Sequence, residues 1–431
     1  MIRKTVPIFL VLACTGLIHL HAQTPSLQKS PPLQTGSPEA VGLSAERLDR
    51  IDRMLQEAVD ENTIPGAVAL IARHGKIVFH EAYGQANASG KPLQKEAIFR
   101  IASQTKAITS TAVMMLWEEG KFQLDDPISK YIPAFKNPQV LVNFRYADTS
   151  YTSRPAQREI TIRHLLTHTS GLGYGMIDGD ERMKMLYQKA GTTDLFTTEN
   201  VTIKDVVLKL AELPLHHDPG AKYTYSMGLD VLGYFIEVIS GMSFEQFLNE
   251  RLFGPLGMED TGFYLPRSKA DRLVAIQHKV NGQWEDYPNT FYDVDYPING
   301  SSFFSGGAGL SSTAKDYATF LQMYLNGGEL NGKRFLSRTT IASMMADQTL
   351  ELYGGAVEHH GLAFGVLTER GQAKGGLGSP GTFVWGGYFN TQYFADPQEK
   401  IVGIILKQTQ GSTGDQTAWK FKQLVGAAVD D

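Results

Sequence analysis

One cysteine, Cys14, is all that 431 residues offer, so neither an internal disulfide framework nor a cysteine-rich metal cluster can be built. A surplus of positive charge is missing too: 40 Lys plus Arg stand against 45 Asp plus Glu, for a net charge of −5. Without it there is no sequence-blind attraction to phosphate backbones, and nucleic acid is not expected as a partner. No stretch past the N-terminus reaches about 18 uninterrupted apolar residues, so no stable membrane span is expected. The 43 glycines follow no period, which excludes collagen-like and repeat architectures. What remains is 42% hydrophobic and 20% charged, an ordinary globular composition with enough chain for one large domain or two smaller ones.

Arg3 and Lys4 give a short positive start, Val6 to Leu20 is mostly apolar, and Leu20-His21-Ala22 offers a small-residue cleavage site before Gln23. Residues 1–22 therefore read as a signal peptide, and the protein as exported, periplasmic or secreted. A second reading makes Val11-Leu12-Ala13-Cys14 a lipoprotein-type site with a lipidated Cys14; the apolar sequence continuing past Cys14 disfavours it. Residues 23–38, rich in Pro, Ser and Gln, read as a flexible leader, and 39–428 as the domain.

Ser44 is a plausible helix cap, with Leu48, Ile51, Leu55, Ala58 and Val59 on one face behind it. Ala67–Ala72 and Ile77–Tyr83 read as strands joined by a tight turn at His74-Gly75. Near the other end, Thr382–Phe394 and Ile401–Lys407 read as an antiparallel pair turning around Asp396-Pro397. Both ends of the chain thus feed one sheet, from about 40–110 and 300–428. The middle, about 111–300, is mainly helical. Helical patterns run over Ala112–Glu119, Ile203–Leu213, Leu229–Ser240, Phe244–Arg251, Ala314–Leu325 and Asp415–Ala428. Stretches 136–160 and 275–300 are weakly periodic and read as long loops near a cleft. The class is α/β.

Ser-x-x-Lys occurs three times, at Ser26/Lys29, Ser103/Lys106 and Ser312/Lys315. Ser26 lies in the leader, and Ser312 opens a surface-like helix where a capping serine and a solvated lysine suffice as explanation. Ser103 follows apolar Phe99-Arg100-Ile101-Ala102 and precedes a buried stripe of Ala112, Met115 and Leu116. That puts Ser103 at the first turn of a core helix, with Lys106 one turn on along the same face. A partly desolvated lysine there can help take the serine proton, and the helix N-terminus favours developing negative charge. The bland alternative is a helix cap and a snorkelling lysine.

Longer blocks separate the two. FRIASQTKAITSTAVMMLWEEGKFQLDDPISKYIPAF (99–135), IRHLLTHTSGL (162–172), PGAKYTYSMGLDVLGYFIEVISG (219–241), GGAGLSSTAKDYATFLQMYLNGG (306–328) and FVWGGYFN (383–390) occur in this order. Together they resemble the serine β-lactamase-like superfamily in its class C branch. That branch includes class C β-lactamases, D-Ala-D-Ala carboxypeptidases, family VIII carboxylesterases and related amidases. The resemblance covers roughly residues 40–425. It implies a β-lactamase/transpeptidase-like fold: an antiparallel sheet flanked by helices, plus a mainly helical region.

By that resemblance Ser103 is the nucleophile, Lys106 its partner, and Tyr225 of Tyr225-Ser226-Met227 the general base. A phenol is a poor base at its ordinary pKa of about 10 and needs a neighbouring cation. Tyr223 is a local competitor that context disfavours. Met227 stands where the family usually has Asn; a thioether can pack but cannot hydrogen-bond a polar acyl-amide group. The third element falls on Trp385-Gly386-Gly387, where the penicillin-recognising members carry Lys or His to hold a carboxylate. Indole suits an uncharged substrate better, and Trp-Gly-Gly is typical of family VIII esterases. The resemblance also implies an oxyanion hole from the Ser103 and Tyr388 backbone N–H groups. Trp385, Gly386, Gly387 and Met227 would contact substrate, and no cofactor or metal is implied.

Other sites are weaker. There is no Gly-x-Ser-x-Gly elbow. His164 and His168, at i and i+4, read as satisfied structural histidines. The pairs His216-His217 and His359-His360 point apart on a regular backbone. The favoured expectation is an esterase on small, largely uncharged acyl esters, a small-molecule partner. A second is a β-lactamase, carboxypeptidase or amidase, with Lys374 or Arg370 replacing the missing cation. A third is a penicillin-binding-like sensor that does not turn over.

Overall fold

The computed structural model describes residues 24–431 apart from 194, 195, 291, 301, 354, 356, 412 and 413. The expected signal peptide 1–22 and Cys14 lie outside the described residues.

The sheet grows from a hairpin. His74 and Gly75 both take positive φ, 50° and 75°, the two-residue turn whose twist matches the strands it joins. The described strands of this sheet, in chain order, are β1 (Gln34–Thr35), β2 (Gly66–Arg73), β3 (Lys76–Gly84) and β4 (Glu358–His360), then β5 (Gly365–Leu367), β6 (Phe383–Gly386), β7 (Gln392–Asp396) and β8 (Ile401–Leu406). Their spatial order is β4-β5-β6-β7-β8-β2-β3-β1, antiparallel except for β1 beside β3. β8 pairs with β2 from Ile401↔Arg73 to Leu406↔Val68, so the two ends of the domain share one sheet. Both strands are buried along their whole length, because helices cover both faces.

Alternation sorts the side chains. Ala67, Ala69, Ile71, Phe394 and Ile405 face α1 (Ala45–Asp60) and α5 (Thr417–Ala427), meeting Leu48, Ile51, Leu55, Phe421 and Val425. The Ser44 hydroxyl caps α1 by accepting from Arg47 N–H. Val68, Leu70, Phe383, Tyr393, Val402 and Ile404 face the larger core, with α2 (Thr105–Glu118), α3 (Gly228–Ser240) and α4 (Ala314–Leu325). α2 is buried nearly all round, so its first turn is held from every side.

Several elements differ from the sequence reading. Thr382–Phe394 is not one strand: Gly386 and Gly387 end β6, and a reversal with Asn390 at φ 63° starts β7. The 23–38 segment is not free-running, because Thr24–Pro25 pairs with Lys333–Arg334 and β1 closes the sheet edge at β3. Stretches 136–160 and 275–300 hold hairpins, Gln139–Phe144 with Tyr151–Pro155 and Gln277–Val280 with Gln283–Asp286. The Phe244–Arg251 helix stops at Leu248 and passes into a wider turn, Asn249–Phe253. Ser312 opens no helix; it is buried in a two-residue strand against Phe99–Arg100, and Thr313 caps α4 instead.

The Lys407 ammonium, just past β8, is buried against the Asp415 carboxylate and donates to Thr417 Oγ1 at 2.8 Å. Removing one partner strands the other charge in a site that excludes water. Lys407→Met is expected to cost about 3–5 kcal/mol in urea unfolding, with Lys407→Met/Asp415→Asn recovering part of it.

Candidate active site

β5 pairs with β6 only at Phe383 and Val384, leaving the outer edge of Trp385 and Gly386 without a strand partner among the described residues. Against this free edge sits the entry to α2. Phe99–Arg100 is tied to Ser311–Ser312, and then Ala102 takes φ 44°, a left-handed conformation that costs a non-glycine residue energy. A tight turn over Ala102–Gln104 follows and runs into α2. Ser103 is thereby presented at the helix N-terminus, and Lys106 follows one turn later.

Lys106 is 3% exposed. Its ammonium donates to Gly307 O at 2.7 Å, to Tyr174 OH at 3.1 Å and to Ser103 Oγ at 3.4 Å. Tyr225 precedes α3 on a segment pinned from both sides: Thr224 N–H donates to His168 O and Met227 N–H to Gly173 O. Its phenol donates to Ser103 Oγ at 2.7 Å, and the Lys106 ammonium lies 4.6 Å from its ring centre. The Tyr225 ring stacks on Tyr174 and packs against His168 at 4.6 Å and Trp385 at 6.2 Å. Tyr223 turns away, into a cluster with Tyr353 and His360.

The Trp385-Gly386-Gly387 edge closes the arrangement. A Cβ on Gly387 would stand 2.5 Å from Ile101 O and 2.2 Å from Thr391 Oγ1, so only glycine lets β6 approach the Ser103 turn this closely. Among the described residues neither Ser103 N–H nor Tyr388 N–H donates to a protein acceptor. A cleft of about 630 Å³ opens here, bounded by Ser103, Tyr225, Trp385, Gly386, Gly387 and, farther along, Trp419 and Lys422 of α5.

Of the expected residues, Ser103, Lys106, Tyr225, Trp385, Gly386 and Gly387 are brought together, and Tyr388 follows Gly387 directly in the chain. Met227, expected to contact substrate, does not line the cleft: its side chain is wholly buried in the larger core. Arg370 and Lys374 are exposed and do not line the cleft. The cation that does is Lys422, with no carboxylate within 4.0 Å among the described residues. Burial holds its ammonium below the usual lysine range. Sequence reasoning also missed Tyr174, which carries no motif, and Asp230. The latter did leave a signal, an acid in the first turn of the mostly apolar α3.

The histidines behind Tyr225 are neutral. Ser226 N–H donates to His168 Nδ1, so that nitrogen is the acceptor, and complete burial pushes the imidazole well below its usual range. Burial likewise lowers His360 to about 4. His164 does not converge with His168; its Nδ1 accepts from Thr161 N–H. With His168 and His360 uncharged, Lys106 is the cation that faces the Tyr225 phenol. These imidazoles take up protons near pH 6.5 only in the unfolded chain, so their contribution to stability is lost as pH falls from about 6.5 toward 4. His360→Gln is expected to lower the stability lost between pH 7 and 4.5 by roughly 2 kcal/mol in urea unfolding.

The Beta-lactamase family model matches residues 51–427. Esterase EstB of Burkholderia gladioli is 31% identical over 405 residues, covering 88% of this chain and 96% of its own. Among solved structures, EstCE1, a hydrolase with promiscuous acyltransferase activity, superposes with TM-score 0.74 at 28% identity, over 88% of this chain and 98% of its own. The simvastatin synthase LovD of Aspergillus terreus shares the fold with TM-score 0.75 at 23% identity, over 89% and 98% of the two chains. The family match takes in β2 to β8, the helical region and the Ser103 cleft, and the chain belongs to the beta-lactamase family of serine hydrolase-like proteins.

Proposed function

We propose that the protein is an exported serine esterase that forms an acyl-enzyme on Ser103, with small, largely uncharged acyl esters as substrates. The observation that carries this reading is the Tyr225–Ser103–Lys106 cluster beside an edge headed by Trp385 where related penicillin-recognising sites need a cation. The neighbouring esterase EstB supports the same reaction class, and the signal peptide read at 1–22 supports export.

In the resting state the Tyr225 phenol donates to Ser103 Oγ. With its own proton lost beside the Lys106 ammonium, it accepts from the serine hydroxyl instead, and Oγ attacks the ester carbonyl carbon. The carbonyl oxygen, now negative, is received by the Ser103 and Tyr388 N–H groups, which no acceptor among the described residues occupies. The alkoxide leaves with the proton held by Tyr225. Water then enters, gives its proton to the same phenolate and releases the acid. Trp385 offers the acyl group an apolar wall and its indole N–H, with no ammonium to select a carboxylate.

One observation favours the second reading, hydrolysis of a β-lactam or a peptide-like amide: Lys422 gives the far wall of the cleft a cation. Comparison of p-nitrophenyl acetate and butyrate with a chromogenic cephalosporin separates the two. Ester turnover is expected to dominate and to fall about 10⁴-fold or more in Ser103→Ala, with an acetyl adduct on the wild type in intact mass spectra. Fast cephalosporin turnover would transfer the weight to Lys422. Gly387→Ala, whose methyl would press on Ile101 O, is expected to pull the Tyr388 N–H away and lower ester kcat about 10²-fold with KM little changed.

A further inference from the structure

The contacts of Lys106 continue past its own acceptors. The Gly307 carbonyl that receives its ammonium belongs to the same peptide unit as the Ala308 N–H, and that N–H donates to Ser305 Oγ at 3.1 Å. Ser305 in turn donates to Asp230 Oδ1 at 2.6 Å. The run from Lys106 through peptide 307–308 and the Ser305 hydroxyl to Asp230 therefore points one way throughout, from a cation to a carboxylate. Gly307 N–H donates to the same Oδ1 at 3.2 Å. All of it is buried.

We propose that Asp230 and Ser305 are positioning residues for acylation, holding the Lys106 ammonium against Tyr225 and Ser103 through the Gly307–Ala308 peptide. The proposal rests on the reading that Ser103 is acylated. Hydrogen bonds aligned head to tail polarise one another, and a peptide unit with a carboxylate-bound hydroxyl on its N–H is a stronger acceptor at its carbonyl. Gly307 is part of the device: a Cβ there would stand 2.6 Å from Asp230 Oδ2 and 3.0 Å from Tyr174 OH, so the loop can pass between them only as glycine. Burial raises the Asp230 carboxyl, and Lys106, Ser305 and the Gly307 N–H act against that. Two donors converge on one oxygen, Oδ1, which must therefore accept.

A merely structural acid would tie α3 to the 305–308 loop and leave the titration of the site alone. A positioning acid places a negative charge near Lys106 and Tyr225, and its removal changes the pH at which the site as a whole becomes active. The groups facing Lys106 are Ser103 on its own turn, Tyr174, Tyr225, the neutral His168, and Asp230 from α3. Taking away a negative charge favours the less positively charged state of the site as a whole. The acid limb of kcat/KM then moves to lower pH, and the plateau falls because the base is weaker.

The test is the pH profile of kcat/KM for p-nitrophenyl acetate in the full chain, with thermal unfolding as the control for folding. Asp230→Asn is expected to move the acid limb down by about one pH unit and to lower the plateau about tenfold. Ser305→Ala, which cuts the run and leaves the carboxyl less favoured as an anion, is expected to move the limb the same way by less. A folded Asp230→Asn with a lower plateau and an unmoved limb overturns the proposal. Where Asp230→Asn does not fold, an unmoved limb in Ser305→Ala does the same. Ester turnover that survives Ser103→Ala overturns the acyl-enzyme reading instead, so the two failures are distinct.

Discussion

An ammonium stripped of water has to find an acceptor for every proton it carries, and the site is organised around that demand at Lys106. Burying such a charge without partners would cost several kcal/mol, enough to consume much of an ordinary domain's stability. Its three donors meet three oxygens: Ser103 on its own turn, Tyr174 from the loop after His168, and Gly307 from the loop before α4. No two of them come from the same stretch of chain. Satisfying one lysine thus draws two loops of the helical and sheet parts onto the start of α2. The same charge lies over the Tyr225 ring, so the group whose burial the fold must compensate is also the one that the proposed reaction uses beside Tyr225.

The sheet contributes an edge. β5 is too short to pair with the whole of β6, and the part it leaves uncovered is Trp385-Gly386-Gly387. Exposed strand edges usually invite unwanted pairing. Here the edge is capped by the Ser103 turn, and what remains open is a cleft. Gly387 allows contact with Ile101, Trp385 gives one wall, and Thr391 anchors the reversal behind them. Removal of the Gly387 hydrogen in favour of a methyl would cost this approach even though no bond to Ser103 is involved.

Much of this was legible before any coordinates. The hairpin at His74-Gly75, the cap at Ser44, α4 and the sharing of one sheet by both ends all rest on local rules of turn, cap and alternation. Ser103, Lys106, Tyr225, Trp385 and Gly387 were legible through blocks of text rather than single motifs, since three Ser-x-x-Lys strings exist and periodicity alone does not choose among them. Met227 stands two residues past Tyr225, at the cap position of α3, and there its side chain packs into the core rather than along the cleft. The break of β6 at two glycines was masked by strand-forming residues on either side. Tyr174, Gly307 and Lys422 gave no signal because their roles arise from long-range juxtaposition, which neither period nor spacing encodes.

Two departures from good local geometry remain to be accounted for, and they have the same explanation. Ala102 sits in a left-handed conformation that a glycine would adopt at less cost, and the Ser103 and Tyr388 N–H groups are left without acceptors among the described residues. Folding alone would remove both, by a glycine at 102 and by hydrogen bonds to nearby carbonyls. They persist because the surroundings over-determine the turn: Arg100 N–H donates to the Gln408 side chain at 2.8 Å, Ile101 N–H to Leu310 O at 3.0 Å, and Tyr317 OH to Gln104 O at 2.9 Å. A rigid turn with unspent donors is unfavourable for an empty fold and favourable for a developing oxyanion, because the donors need no reorganisation when charge appears. On the proposed reading, the packing of α2 and the sheet is what holds Ser103 ready for attack, and the strain at Ala102 marks where that stability is put to use.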